Sequence, residues 1–393
     1  MTVSFWQDRS AAAEHHADIT VIGAGITGAS VAWWLAREGL GVQVVDRADP
    51  GAGASGRNAG MVLLGTADPY AKAVDLMGRE KARRIWEFTR ENRKLLLERV
   101  LPEAEHRVAL ERTGSVHAAA SEHEWAEIER SAAYLAEDGF PVSLLDAATL
   151  QRELSTSAYH GGLYDPEAIA LHPVGLCELI LEQAVAAGAR FHPHHEVHAI
   201  EPGDSDVEVR THRATFVSDV VLLCTNAYAP LLHGHFADKV YPTRGQMWAT
   251  APVPRRLIPW AVYADFGYEY FRQLPTGQVL AGGWRQHHEN AEKGYSDETT
   301  ADLQDGLWDY MTKTFPDLAS ARITHRWAGV MGFSADGLPL LGELPSQPRV
   351  KYLLGYTGHG FGFAFHAAKV LADLVVNGTS PGWLGARRLE QRG

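Results

Sequence analysis

The chain has 393 residues, 46% of them apolar, and a formal net charge of −12. That length can fill two cores, and an acidic balance without any lysine or arginine run excludes nucleic acid and anionic membrane as expected partners. Two cysteines, Cys177 and Cys224, are too few for a disulfide framework; both sit in apolar runs and suit a reducing cytoplasm. Residues 1–17 lack the basic start and apolar core of a signal peptide, and no apolar run approaches the ~20 residues of a membrane span. A cytoplasmic protein acting on a small molecule is the expectation.

Asp18–Ile22 is a β-branched run and reads as a strand. It enters Gly23-Ala-Gly-Ile-Thr-Gly28, a helical run follows from Ala29 to Arg37, and Gly39 ends it. Val42–Val45 makes a second strand tipped by Asp46, 18 residues after Gly28. Strand, Gly-rich turn, helix, strand and terminal carboxylate in this order form the dinucleotide-binding βαβ pattern. Gly23 serves the tight turn, Gly25 admits a pyrophosphate to the backbone, and Gly28 lets helix and strand pack closely. The N–H groups and positive dipole end of the helix hold the anion, and Asp46 reaches ribose hydroxyls.

Gly51–Gly60 is too flexible in composition for a regular element. A helical stretch follows over 69–100, then a strand from Thr113, a helix over Glu122–Glu137 and a short helix over Asp146–Glu153. Pro173–Ala187 reads as a helix, and Arg190-Phe191 and Val197–Ile200 as strands. Val207–Arg210 and Ala214–Val217 read as a hairpin, and Val220–Cys224 as a separate buried strand running into Thr225-Asn226. From Val240 to Arg326 long β segments (Gln246–Ala251, Ala261–Asp265, Tyr268–Leu274, Gln278–Gly283) with one helix, Thr299–Phe315, describe an antiparallel sheet with covering helices. The His192, His194 and His195 group lacks any carboxylate or cysteine pattern, so no metal site is read.

Near the C-terminus Tyr352–Leu354 is a strand, Gly355-Tyr-Thr-Gly-His-Gly360 a Gly-rich turn, and Phe363–Val376 a helix. A second strand–turn–helix unit suits a flavin, whose reduced ring carries negative charge that a helix N-terminus would stabilise. Four stretches now combine: Gly23–Asp46, Ala54-Ser-Gly-Arg-Asn-Ala-Gly60, the run from Trp327 to Gly342, and Gly355–Gly362. In them the chain resembles the FAD-dependent oxidoreductases of the D-amino acid oxidase superfamily, in the branch of glycine, sarcosine and γ-glutamylputrescine oxidases. The resemblance implies an α/β FAD-binding Rossmann-like domain (14–100, 161–235, 326–393) and an inserted antiparallel sheet-plus-helix substrate domain (101–160, 236–325).

By position, the resemblance puts Gly23, Gly25, Gly28, Asp46 and Arg47 on the pyrophosphate and adenosine. Ser55, Arg57, Asn58, Gly60 and Met61 fall on the flavin side, Val197 on the adenine, and Thr225 and Asn226 beneath the cofactor. Asp336, Gly337 and Leu340 fall on the ribityl chain, and Gly358, His359, Gly360 and Phe361 on the pyrimidine edge. The cysteine that tethers flavin in sarcosine oxidase is Gly329 here, which implies non-covalent FAD. The arginine that holds the carboxylate in glycine oxidase is Met331, and the corresponding lysine of sarcosine oxidase is Gly362. Arg285 and Arg244 remain as cations for a carboxylate, each with a structural salt bridge as the alternative. The oxygen-activating lysine is also missing from Val279–Trp284, leaving O2 or another electron acceptor open.

The expected activity is oxidation of a C–N bond of an amine or amino acid to an imine by hydride transfer to flavin N5, followed by hydrolysis. His359, Arg285 and Tyr270 are the candidate catalytic residues, with helix capping the alternative for His359. Trp248, Tyr263, Tyr268, Tyr270, Phe271, Trp284, Trp327 and Phe333 divide between core and an aromatic cage for an amine; alternation puts Tyr268 and Tyr270 on one face and Phe271 on the other. A 2-hydroxy acid dehydrogenase and a non-catalytic FAD-binding subunit are the alternatives.

Overall fold

The computed structural model describes residues 4–7 and 13–392; the expectation about a signal peptide in residues 1–17 falls partly outside them. The strand Glu14–Ile22 lies at the centre of the first sheet, parallel to Val42–Val45 on one side and to Thr215–Leu223 on the other. The order continues outward to Arg190–His192 at one edge, and through Gln347–Leu354 to Leu340–Leu344 at the other. Parallel strands are covered on both faces, and three helices do part of this covering. Ile26–Arg37 is apolar on nearly every face and packs between Pro173–Ala186 and Gly360–Asn377. Its small residues Gly28, Ala29, Ala32 and Ala36 permit the close approach.

The second sheet has eight strands in the order Ile323–Ser334, Val240–Thr250, Val279–Gly283, Glu269–Gln273, Ala261–Ala264, Ser115–Ala118, Gly161–Asp165, Ser143–Asp146. The helix Ala301–Thr314 places Leu303, Leu307 and Met311, spaced four apart, toward this sheet; Leu307 and Met311 share one core with Trp248 and Phe271.

Several expectations need correction. The second sheet is mixed, because Ala261–Ala264 runs parallel to Ser115–Ala118. Strands 161–165 and 323–334 belong to it although the expected boundaries gave the first, and most of the second, to the nucleotide unit. The hairpin strand and the buried strand after it are one element, Thr215–Leu223, because Asp219 continues the extended path with its side chain at the surface. The stretch 69–100 is two α-helices, Tyr70–Met77 and Arg79–Leu95, parted at Gly78 (φ 83°), with a π-helical turn, Leu96–Val100, closing the second. The C-terminal helix starts at Gly360, three residues before the apolar run that signals it. Among the described residues no helix is long and apolar enough to cross a membrane.

Candidate functional site

Both Gly-rich turns open on one cavity of about 470 Å³. Gly23, Gly25, Ile26 and Thr27 of the first turn and Thr357, Gly358, His359, Gly360 and Phe361 of the second line it together. Thr27 Oγ1 donates to Tyr356 Oη (2.9 Å) and joins the two units, while Gly355 N–H donates to Asn226 Oδ1 (2.9 Å) and ties the second turn to the end of Thr215–Leu223. Asn226 sits at φ 46°, which asparagine tolerates well.

The first turn is held from below. Gly23 N–H donates to Val45 O (2.8 Å) and Ala24 N–H to Asp46 Oδ2 (2.6 Å), while Asp46 Oδ1 takes the Ala48 N–H (2.8 Å). Burial raises the Asp46 pKa, against the pull of those two N–H groups. Each oxygen keeps a free lone pair on a side chain that lines the cavity. Ser55 Oγ accepts from Ile26 N–H (3.0 Å), and Asn58 ties its own loop, donating to Ala54 O and Ser55 O and accepting from Gly60 N–H.

Other expected residues divide. Arg47, Met61, Val197 and Thr225 line the cavity, with the Arg47 guanidinium over the Tyr228 ring at 4.4 Å. Arg57 lines it too, but donates to Ala52 O and Ala328 O, so it fastens the 51–60 loop to the second sheet. Gly28 and Gly60 lie behind the lining as close-approach positions against Gly23 O and Leu171 O. Asp336, Gly337 and Leu340 are not brought to the cavity. Asp336 takes a bidentate ion pair from Arg388 (2.7 and 3.0 Å), and Leu340 is buried in the core on the far side of the sheet end.

At the other end the cavity is walled by Tyr263, Phe266, Gly267, Tyr270, Arg285, Met331 and His359. Tyr270 reaches it because its partner on the next strand is Gly282, where a Cβ would stand 2.5 Å from the ring. Phe271 faces the opposite way, into the core with Trp248, as the alternation predicts. The expected cage therefore shrinks: Trp248 and Phe271 are core, Trp284 packs on Tyr310, and Trp327 Nε1 donates to Arg57 O. Tyr268 and Phe333 instead flank Arg285, whose guanidinium carbon stands 4.6 and 5.7 Å from their ring centres. Among the described residues no carboxylate pairs with Arg285. The His359 side chain does not cap its helix; its Nδ1 lies 3.4 Å from Thr357 O, and burial holds its pKa below the ordinary value.

Arg244 is not a substrate cation. It is buried in a bidentate pair with Glu292 (2.6 and 2.7 Å) and also donates to Ala291 O and Glu298 O. Replacing it with methionine strands a Glu292 carboxylate that is 1% exposed. We expect Arg244→Met to lower stability by about 3–5 kcal/mol in urea unfolding, and an unchanged midpoint would refute the pairing.

Glu269, next to Tyr270 but facing away, is 1% exposed, and burial pushes its pKa up to about 8. The folded state then keeps a proton that the unfolded chain has lost, so this group's stabilising share falls as pH rises from about 4.5 to about 8. Glu269→Gln is expected to flatten that fall in urea midpoints taken across the range; an unchanged slope contradicts it.

Residues missed from sequence include Phe266, Tyr228, His195, His198, His212 and Thr357, all in the lining. The pointers in the sequence are weak: His198 follows Val197, Tyr228 lies two residues after Asn226, and His195 stands out only as a metal candidate. His192 and His195 pack edge-on against Phe216, and among the described residues no group of histidine, cysteine and carboxylates is arranged for a metal.

A dinucleotide fits this cavity. The first helix has no side-chain cap at Gly25, so its leading N–H groups lack that partner, and Thr225 Oγ1 is buried in the lining with no hydrogen bond. A two-turn cavity under a mainly parallel sheet, walled on its far side by a second sheet, defines the class of dinucleotide-binding proteins. A family model described as FAD dependent oxidoreductase matches residues 18–374, and the chain belongs to that family. It is similar to "Probable oxidoreductase OrdL" of Rhizobium meliloti (28% identity, covering 92% of this chain and 83% of that protein). "Gamma-glutamylputrescine oxidoreductase" of Escherichia coli is 26% identical, with 91% and 83% covered. The fold matches the crystal structure of glycine oxidase from Geobacillus kaustophilus with a TM-score of 0.80, at 22% identity over 95% and 99% of the two chains. The protein is thus a FAD-dependent oxidoreductase of the D-amino acid oxidase superfamily.

Proposed function

We propose that the protein oxidises the C–N bond of a small amine carrying a carboxylate, such as an amino acid, to the imine, which water hydrolyses. The observation that supports this most is Arg285: a guanidinium on the cavity wall, its faces flanked by Tyr268 and Phe333, with no carboxylate paired to it among the described residues. An N–H fork left open in this way suits a carboxylate. Tyr263, Tyr270 and Phe266 exclude water beside it and offer aromatic faces to the amine. FAD, when bound, supplies the acceptor for the hydride leaving the carbon next to nitrogen. Gly25 and Thr27, with Gly23 shaping the turn beneath them, would hold its pyrophosphate, Asp46 its ribose, and the 357–361 turn its ring.

We place FAD in the site without a covalent bond. Cys224 is the lining cysteine, and burial raises its pKa, so it stays a thiol. His359, kept neutral by burial, accepts or donates one hydrogen bond and adds no charge. No lysine lines the cavity among the described residues, so an acceptor other than O2 is the reading for reoxidation.

The test is anaerobic bleaching of the visible flavin bands by a panel of amines, amino acids and 2-hydroxy acids, followed by admission of O2 or a quinone. Bleaching by carboxylated amines and not by the parent amines supports the assignment. Bleaching only by hydroxy acids replaces it, and a flavin that no member reduces points to a binding subunit.

A further inference from the structure

Behind the wall assigned above to substrate lies a layer of buried polar groups with no part in the chemistry so far. Its centre is Glu124, fully buried in the first turn of the helix Glu122–Glu137. Ser121 and Glu124 have the spacing of a capping box, and Ser121 Oγ does accept the Glu124 N–H (3.2 Å). A capping box would return the glutamate to the N–H of Ser121. Here Glu124 Oε2 takes the Ala120 N–H instead (2.8 Å), and Oε1 reaches out of the helix to two groups, one in the cavity wall and one packed behind it.

One of these is the Phe266 N–H, which donates to Oε1 at 2.6 Å. Phe266 sits in the turn Asp265-Phe266-Gly267, whose φ angles are 47°, 54° and 82°. Two adjacent non-glycine residues in the left-handed region are strained and persist only where surrounding contacts impose them. The other is His117 Nε2, 2.8 Å from the same oxygen. The His117 ring stacks under Tyr263 at 4.5 Å with 24° between planes. Burial works to raise the Glu124 pKa, yet His117 and the two N–H groups hold it below the ordinary value, so it is an anion.

The turn is tied onward. Gln286 Nε2 donates to Asp265 Oδ2 (2.9 Å) and to Glu269 Oε1, and Gln286 follows Arg285 on a loop that begins at Trp284 with φ 67°. Four residues of the wall thus hang on one carboxylate: Tyr263, Phe266, Gly267 and, through Asp265 and Gln286, Arg285.

We propose that Glu124 is a positioning residue for substrate, its Oε1 fixing the 265–267 turn and the His117–Tyr263 stack before any ligand arrives. This rests on the assignment of that wall to substrate. Glu124→Gln keeps the volume but must turn an NH2 toward either the Ala120 N–H or the Phe266 N–H and His117, so one set of bonds is lost.

The probe is anthranilate, which carries one carboxylate for Arg285 and one ring for the tyrosines, read by its perturbation of the flavin spectrum in the holoenzyme. The variant should bind anthranilate about tenfold or more weakly while the FAD Kd stays within about twofold. Unchanged anthranilate affinity, or equal losses for FAD and anthranilate, overturns the proposal, the second because it marks a general structural role. A measurement on the wild type needs no variant to fold: hydrogen exchange of a peptide covering 262–268. The Phe266 amide should be protected in ligand-free holoenzyme as strongly as with anthranilate, and free exchange without it defeats the proposal. Anthranilate that leaves the wild-type spectrum unmoved refutes the substrate assignment instead, and the exchange result then decides on Glu124 alone.

Discussion

Gly28→Val is expected to leave a folded protein that no longer retains FAD, with the Kd raised about 100-fold or more, equivalent to about 2.7 kcal/mol. A Cβ at Gly28 would overlap the Gly23 carbonyl oxygen and stand 2.9 Å from its carbon and 3.2 Å from Val21 Cγ1. None of these atoms is the free end of a flexible side chain. Gly23 is pinned by its N–H to Val45 O, and Ala24 by its N–H to Asp46, so the turn cannot back away without losing those bonds. The consequence falls on the N–H groups that would face the pyrophosphate, where a shift of about 1 Å is enough to undo precise positioning. The measurement is fluorescence quenching on titrating FAD into the apoprotein, with circular dichroism to establish the fold. Gly39→Ala is the control: its φ of 82° makes the substitution strained, but no atom lies within 4 Å of the added Cβ and the site is outside the cavity. Stability should fall there and FAD affinity should not. A Gly28→Val protein that keeps FAD within about threefold would remove the first turn from the cofactor site.

The first turn was legible because all its determinants are local: strand, three glycines, helix and carboxylate lie within Asp18–Asp46 and form one supersecondary unit. The second turn and the alternation of Tyr270 and Phe271 were readable for the same reason. Asp336 lies outside the cavity lining and pairs with Arg388, 52 residues away, and nothing local distinguishes a carboxylate facing a ligand from one facing an arginine. Arg244 and Arg285 posed the same ambiguity. Glu292, 48 residues beyond Arg244, pairs with the first, while the second is flanked by the rings of Tyr268 and Phe333 and, among the described residues, has no paired carboxylate. The 265–267 turn was hidden for a different reason. Asp-Phe-Gly carries one residue suited to positive φ, but the structure puts three there, an arrangement that tertiary bonds impose and local propensity opposes.

Arg285→Leu should reduce kcat/KM for a carboxylated amine by about 10–150-fold, corresponding to the ~1.5–3 kcal/mol of a charge-assisted hydrogen bond. The same enzyme should lose little toward the methyl ester of that amine, which has no anion to pair. The prediction follows from what surrounds the guanidinium. Its flanking aromatic rings hold it without neutralising it, whereas Arg244, on a strand of the second sheet, is neutralised by Glu292 and would contribute nothing to ligand charge. Leucine keeps the apolar stem against Tyr268, so packing is largely retained and the fold should survive. The ester comparison separates two roles that a single rate cannot. If Arg285 binds the carboxylate, acid and ester substrates diverge in the wild type and converge in the variant. If it acts on the flavin ring, both fall together, and the shift appears in the wavelength of the oxidised flavin band even without substrate. Rates of anaerobic bleaching, taken at several substrate concentrations, give the split between KM and kcat; a loss confined to KM is the signature of a group that binds acid and transition state equally.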